Sequence, residues 1–244
     1  MEEISIKAQE LFSIAGFPVT NSLFLTFFVS VILIGFSLAM RNKAALVPGK
    51  LQGGVEMGME WFLNLMETTL GSAKNAEKYF PLVATIFIFI MASNLLGIFP
   101  GVGSLMLHSQ GHEVSLFRSP AADLNFTLAF ALISVIATNV IGAMAVGTWT
   151  HISKFLNFKD PISFFIGLLE IVSEFAKIIS LSFRLFGNVF AGEVLLTIIF
   201  FLAPYIIPLP FLFLEIFVGV IQAFLFAMLT LVSILLHTSV HEEH

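Results

Sequence analysis

The sequence predicts an all-α membrane protein with five membrane helices and one interfacial amphipathic helix, the last two membrane helices forming a long tilted hairpin. Of its 244 residues, 58% are hydrophobic and 11% are charged, whereas about a quarter of the residues in a soluble domain are charged. One core of this size could not bury so much apolar surface. In addition, uncharged runs long enough to cross a bilayer recur along the chain.

The same composition excludes several classes of protein. A formal net charge of -5 provides no basic field for nucleic acid, and the absence of cysteine excludes disulfides and thiolate metal sites. Walker-type loops, nucleophile elbows and HExxH motifs are also absent. We therefore expect no covalent catalytic site, no metal site and no cofactor.

A single integral membrane domain is expected over 1–244. The first apolar run follows Met1-Glu2-Glu3 and lacks a basic leader, so we expect it to be retained as a span. The apolar runs predict membrane helices at about 19–40, 80–99, 124–148, 162–201 and 206–237.

The fourth run is unusually long. Forty residues of helix would reach about 60 Å, roughly twice the hydrocarbon thickness. The run contains no proline, so we favour one steeply tilted helix over a broken one. Ala203-Pro204 and Pro208-Leu209-Pro210 then turn the chain back into a hairpin.

Basic residues in the short loops predict the orientation. Lys7 and Arg118 lie on one side, and seven basic residues lie on the other. The sequence therefore predicts an N-terminus outside and the C-terminus, 241–244, in the cytoplasm, with a bacterial plasma membrane preferred over an organelle. The seven residues are Arg41, Lys43, Lys50, Lys74, Lys78, Lys154 and Lys159.

The segment 51–71 is too polar to span and has an apolar stripe at helical spacing, which predicts a helix lying in the interface. Its opposite face is acidic rather than basic. Two roles for this helix are compatible with the sequence: it docks against another subunit, or it is a connector that rests on lipid. The stripe comprises Val55, Met59, Phe62, Met66 and Leu70, and the polar face comprises Glu56, Glu60, Asn64 and Glu67.

Six ionisable residues fall inside the last two spans. Each costs roughly 3 kcal/mol at mid-bilayer unless it faces protein or water. On the fourth span, most of the polar residues share an arc of roughly 80°. The six are Glu170, Glu174, Lys177, Arg184, Glu193 and Glu215.

Arg184 is the most informative of the six. Its guanidinium stays charged, and it has no acidic residue three or four positions away. We expect a partner on another subunit, the alternative being a distant carboxylate of this chain. Glu174 and Lys177 favour a simple structural pair, and for Asn188 and Gln222 interhelical packing is an equal alternative.

The histidines do not predict a metal site. His108, His112 and His151 lack ligand spacing, and His237, His241 and His244 are expected to be solvated tail residues.

Residues 180–193, Ser-Leu-Ser-Phe-Arg-Leu-Phe-Gly-Asn-Val-Phe-Ala-Gly-Glu, closely resemble the signature of subunit a of the F-type ATP synthase. Further likenesses occur at 94–101, at 120–125 and at 221–226, Ile-Gln-Ala-Phe-Leu-Phe. The resemblance covers the chain from about residue 20. It implies a stator subunit that contacts a ring of c subunits, peripheral-stalk b subunits, the other synthase subunits and the lipid membrane.

The resemblance also implies roles for individual residues. Arg184 matches the arginine that attracts the c-ring carboxylate and separates two offset half-channels. Glu215 stands where some relatives have histidine. Asn188, Glu193, Gln222 and Glu215 are implied for the outer half-channel and Asp123 for its entrance, while Glu170 and Ser173 are implied for the cytoplasmic half-channel.

Two alternatives remain at this point. An autonomous secondary ion transporter would also hold charges at mid-membrane, but such folds commonly show repeated halves with broken helices. A membrane scaffold would leave the six charges unexplained. Transport of H⁺ or of Na⁺ is equally compatible with the sequence.

Overall fold

The computed structural model describes residues 8–14, 16–43, 45, 47–99, 105–109, 112–155 and 161–238. This part of the chain is mostly helical, and five of its helices are long and apolar enough to cross a membrane. The prediction of a helical membrane protein is confirmed at this level. The five are α1 (Asn21–Lys43), α3 (Ala73–Ile98), α4 (Leu124–Val146), α6 (Pro161–Leu202) and α7 (Pro208–Thr238).

Two further helices and a 3-10 turn connect them. Helix α2 (Lys50–Leu70) ends at Gly71, whose φ of 68° is readily adopted only by a residue without a Cβ. Helix α5 (Thr148–Phe155) follows α4, and the turn Pro120–Ala122 leads into α4.

Two short antiparallel hairpins were not predicted. Strand β1 (Glu10–Ile14) pairs with β2 (Phe17–Thr20), and β3 (Met106–Ser109) pairs with β4 (His112–Ser115). They lie at the side of the bundle where α1, α4 and α7 begin and where α3 and α6 end. We call this the near side, and the opposite side the far side.

Specific polar contacts hold the near side together. Ser22 donates its hydroxyl to Asp123 Oδ2 at 2.6 Å, which joins the start of α1 to the start of α4. The side-chain amide of Asn21 donates to the Ser115 carbonyl. The Cα atom of Ser119 would lie 2.8 Å from a Cβ built on Gly97, so only glycine allows α3 to end this close.

Helices α3, α4, α6 and α7 form the core. One apolar cluster lies among α3, α4, α6 and α7 around Ile90, Leu185 and Phe226. Another joins α2 and α3 to the far half of α7. Most large apolar side chains of α1 and many on α6 remain exposed, as expected for surfaces that face lipid or another subunit.

Helix α2 packs through the middle of its predicted stripe. Phe62 and Met66 are buried, and the Phe62 ring stacks on Phe87 with centroids 5.2 Å apart. The four polar residues assigned to its other face, Glu56, Glu60, Asn64 and Glu67, are all exposed.

Candidate ion-translocation site

Helix α6 is one unbroken helix of 42 residues. Arg184 lies about 35 Å along its axis from Pro161, near the middle of the bundle. Its side chain is exposed, and Nη2 donates to Ser180 Oγ at 3.2 Å. None of the ion pairs found among the described residues involves Arg184. A permanent charge therefore lies on the outer surface of a membrane-spanning helix.

A cavity of about 350 Å³ runs from Arg184 toward the far side between α4, α6 and α7. Hydroxyl groups and Lys177 make part of its wall polar, and Ser233 Oγ finds no hydrogen-bond partner among the described residues. A space of this size with polar walls can hold several water molecules. The polar lining residues are Ser134, Ser173, Lys177, Ser180, Arg184, Thr230 and Ser233.

Two carboxylates approach each other toward the near side. Glu193 Oε1 lies 3.5 Å from Arg118 Nε, and Arg118 is only 9% exposed. Glu215 is buried on α7, and its Oε1 atom would lie 2.7 Å from a Cβ built on Gly192. The absence of a side chain at Gly192 therefore lets the Glu215 carboxylate reach the backbone of α6 beside Glu193.

Arg118 was not predicted as part of this group. It precedes the turn at Pro120 by two residues and lies outside every apolar run. Loop residues of this kind are placed by tertiary folding, so the sequence around Arg118 gives no signal beyond its charge. Its guanidinium also lies 6.0 Å from the Phe190 ring centroid.

The other residues implied for this side are spread over different elements. Gln222 is buried on α7, and one turn away Asn94 of α3 donates to the Gly219 carbonyl at 2.9 Å. Asn188 is exposed on α6, one turn beyond Arg184. Asp123 is buried and accepts from the Asn125 backbone N–H as the N-cap of α4, so it has a structural role in the fold.

A second polar group, which we call the far-side cluster, comprises Glu174, Lys177, Asn139, His151 and His237. Lys177 Nζ lies 2.5 Å from Glu174 Oε1, and Asn139 Nδ2 donates to Glu174 Oε2 at 3.0 Å. The expected pair of Glu174 and Lys177 therefore forms, with additional partners from other helices.

The expectation for His237 is wrong. His237 is 3% exposed, and its Nε2 lies 3.4 Å from Glu174 Oε1. Helix α7 extends to Thr238 and carries His237 into the bundle, where Gly142 allows its Cβ to approach α4 closely. His241 and His244 lie outside the described residues.

Glu170 and Ser173 lie on the same half of α6. Glu170 is half-buried one turn before Glu174, and Ser173 lines the cavity. No group of three or more metal-binding side chains occurs within the described ranges.

Five apolar helices that hold charged residues at several depths define an integral membrane protein with a polar, ionisable interior. The family model described as "ATP synthase A chain" matches residues 23–234, and the chain belongs to this family.

Curated relatives agree with this assignment. ATP synthase subunit a of Moorella thermoacetica is 34% identical over 229 residues, which cover 94% of this chain and 95% of the relative. ATP synthase subunit a of Campylobacter jejuni strain 81-176 is 37% identical over 219 residues, which cover 88% of this chain and 89% of the relative. ATP synthase subunit a 3 of Pelobacter propionicus is 34% identical over 221 residues, which cover 90% of this chain and 87% of the relative.

Proposed function

We propose that this chain is the ion-translocating stator subunit of a rotary F-type ATP synthase. It would deliver ions to a rotating ring of c subunits and receive them back through two offset half-channels. The chain itself would catalyse no covalent chemistry. The exposed guanidinium of Arg184 at the middle of α6 is the observation that carries this proposal.

An exposed arginine at this depth is costly in lipid. Insertion scales give about 3 kcal/mol at mid-bilayer, and simulations give more. Ser180 supplies one hydrogen bond but no negative charge. A carboxylate on a neighbouring subunit would satisfy the guanidinium, and the exposed face of α6 leaves room for that subunit.

The polar groups on the two sides of Arg184 support two separate paths. On the near side, Glu193 and Glu215 could pass a proton toward the ring, with Asn188, Gln222 and Asp123 along the route. On the far side, the cavity reaches from Arg184 past Ser180 and Ser173, and Glu170 lies near its far end. The two paths end on opposite sides of Arg184, and its positive charge would repel a cation that passed directly from one path to the other.

The mechanism is electrostatic. A proton from the near side would neutralise a ring carboxylate, which can then face lipid at much lower cost than the anion. After the ring has turned, the acid would release its proton into the far-side cavity and be drawn to Arg184 as a carboxylate. One charge crossing the membrane supplies about 2.3 kcal/mol per 100 mV, so several crossings are needed per ATP.

The remaining assignments follow from this proposal. The near side would face outward and the far side the cytoplasm, consistent with the basic residues at the far side. Helices α6 and α7 would form the tilted hairpin against the c-ring. The acidic face of α2 would lie at the cytoplasmic interface, available to the peripheral-stalk b subunits.

The test uses the whole complex in vesicles. Arg184→Ala should abolish ATP-driven proton pumping while the complex still assembles, and Arg41→Ala, at the end of α1, should have no effect. Normal coupled pumping by Arg184→Ala would reject the proposal. Ion transport by the purified chain alone would instead support an autonomous transporter.

A further inference from the structure

The far-side cluster has a feature that the proposed function does not use. Lys177 is the second cation in the wall of the cavity that leads to Arg184. Both residues lie on α6, seven positions and therefore two turns apart, about 10 Å along the axis. An uncompensated charge on Lys177 would repel any cation moving through the cavity.

Glu174 compensates that charge. Its Oε1 accepts a hydrogen bond from Lys177 Nζ at 2.5 Å, and the Glu174 side chain is largely buried. The ammonium group is therefore fixed against the wall and paired, while Arg184 lacks a carboxylate partner among the described residues.

Groups from the other helices fix Glu174 in turn. Asn139 of α4 donates to Oε2 at 3.0 Å, and its own Oδ1 lies 3.2 Å from Nε2 of His151 on α5. The cavity wall is formed by α4, α6 and α7, and each of these helices carries a group that contacts the Glu174 carboxylate. The carboxylate is thus held from every side of the passage.

His237 is the α7 contact. Its Nδ1 lies 2.6 Å from the Ser233 carbonyl, which can only accept, so Nδ1 carries a proton. Its Nε2 lies 3.4 Å from Glu174 Oε1, and no hydrogen bond forms between them. Both ring nitrogens therefore lie near oxygen atoms of the bundle, and the titratable groups around the ring are Glu174, Lys177 and His151.

We propose that Glu174 is a positioning residue for ion translocation: it holds and neutralises Lys177 so that Arg184 is the only uncompensated fixed cation in the cavity. This inference rests on the proposed function, because it requires ions to pass through the cavity. Glu174 acts through Lys177 and need not carry the proton itself.

Glu174→Gln tests the proposal in the complete complex. The amide removes the negative charge and leaves Lys177 free to enter the cavity. We expect ATP-driven proton pumping to fall about tenfold, the scale on which a unit charge changes local ion concentration in a narrow cleft. Glu77→Gln, which removes an exposed carboxylate at the start of α3, is the matched control and should pump normally.

The double variant Glu174→Gln/Lys177→Met separates electrostatics from structure. Removing the released cation should restore most of the pumping lost in Glu174→Gln. If Glu174 merely tied the helices together, the double variant would be at least as defective as the single one, and the proposal would be wrong. Should Glu174→Gln fail to assemble, the double variant is compared with Lys177→Met alone. Equal pumping by these two variants supports the proposal, and weaker pumping by the double variant refutes it.

Arg184→Ala measured in the same vesicles keeps the two proposals distinct. Pumping by Arg184→Ala would refute the stator mechanism itself. Loss of pumping in Arg184→Ala, together with no recovery in the double variant, would refute only the role of Glu174.

Discussion

Two arginines of this chain lie in opposite situations. Arg118, in the loop before α4, is 9% exposed and pairs with Glu193 at 3.5 Å. Arg184, at the centre of a spanning helix, is exposed and donates a hydrogen bond to Ser180 of its own helix. A cation that is buried and paired within its own chain holds that chain together, whereas one left exposed at mid-membrane requires a partner from outside. Under the proposed function, this difference separates a positioning role for Arg118 from a role in ion translocation for Arg184.

After Arg184→Ala, the largest effect on ATP-driven pumping is expected from a substitution of Arg118. Arg118→Gln keeps a polar side chain but removes the charge beside Glu193, which changes the electrostatics of the near-side path. We expect ATP-driven pumping to fall to about a tenth, since one focused charge acts on that scale. Complete loss of pumping, as expected for Arg184→Ala, would show that the two arginines do not differ in kind.

A smaller effect is expected at the partner of Arg118. Glu193→Leu removes one carboxylate from the near-side path while Glu215 remains. Proton flux in reconstituted vesicles should slow severalfold, with the α6–α7 hairpin intact by limited proteolysis. Normal flux would make Glu193 a packing residue.

Gly192→Ala tests the approach of Glu215 to α6. The added methyl would lie 2.7 Å from Glu215 Oε1, so the carboxylate must leave its position against the backbone of α6. We expect a modest reduction in pumping. Gly35→Ala on α1 is the control, because a Cβ there meets nothing within 4 Å. Equal rates for the two variants would mean that the position of Glu215 is unimportant.

The smallest effect is expected at Ser22. Ser22→Ala removes the 2.6 Å hydrogen bond to Asp123, and a bond to a charged group contributes about 1.5–3 kcal/mol. Thermal stability of the complex should fall while the pumping rate at moderate temperature stays unchanged. A large loss of pumping with unaltered stability would contradict this, and would show that the hydrogen bond from Ser22 serves the ion path at Asp123 rather than the fold.

Much of the fold can be predicted because membrane helices are specified locally. A long apolar run with at most one charged residue is sufficient to indicate α1, α4 or α7. The start of α3 is less evident, because its first two turns contain Lys74 and Glu77, and the Ser72 cap rather than hydropathy fixes its N-terminus. The two hairpins are built from strands of only four or five residues, which are too short for a clear alternation of apolar and polar residues.

The site is predictable where it depends on one helix and not where it depends on several. The pair of Glu174 and Lys177 follows from their spacing on α6. The contacts of His237 with α6 and of Arg118 with Glu193 depend on how distant segments pack, which the spacing of residues does not encode. The signal for His237 was its helical continuity with the apolar run of α7.

The exposed face of α6 beside Arg184 gives the most direct test of the central claim. The chain has no cysteine, so Gly187→Cys places a single thiol on that face without a clash, and Ile34→Cys places one on the exposed surface of α1. In the assembled complex, a short bifunctional cross-linker should join Gly187→Cys, but not Ile34→Cys, to the ring subunit. No adduct from Gly187→Cys, in complexes that assemble and pump, would contradict the account.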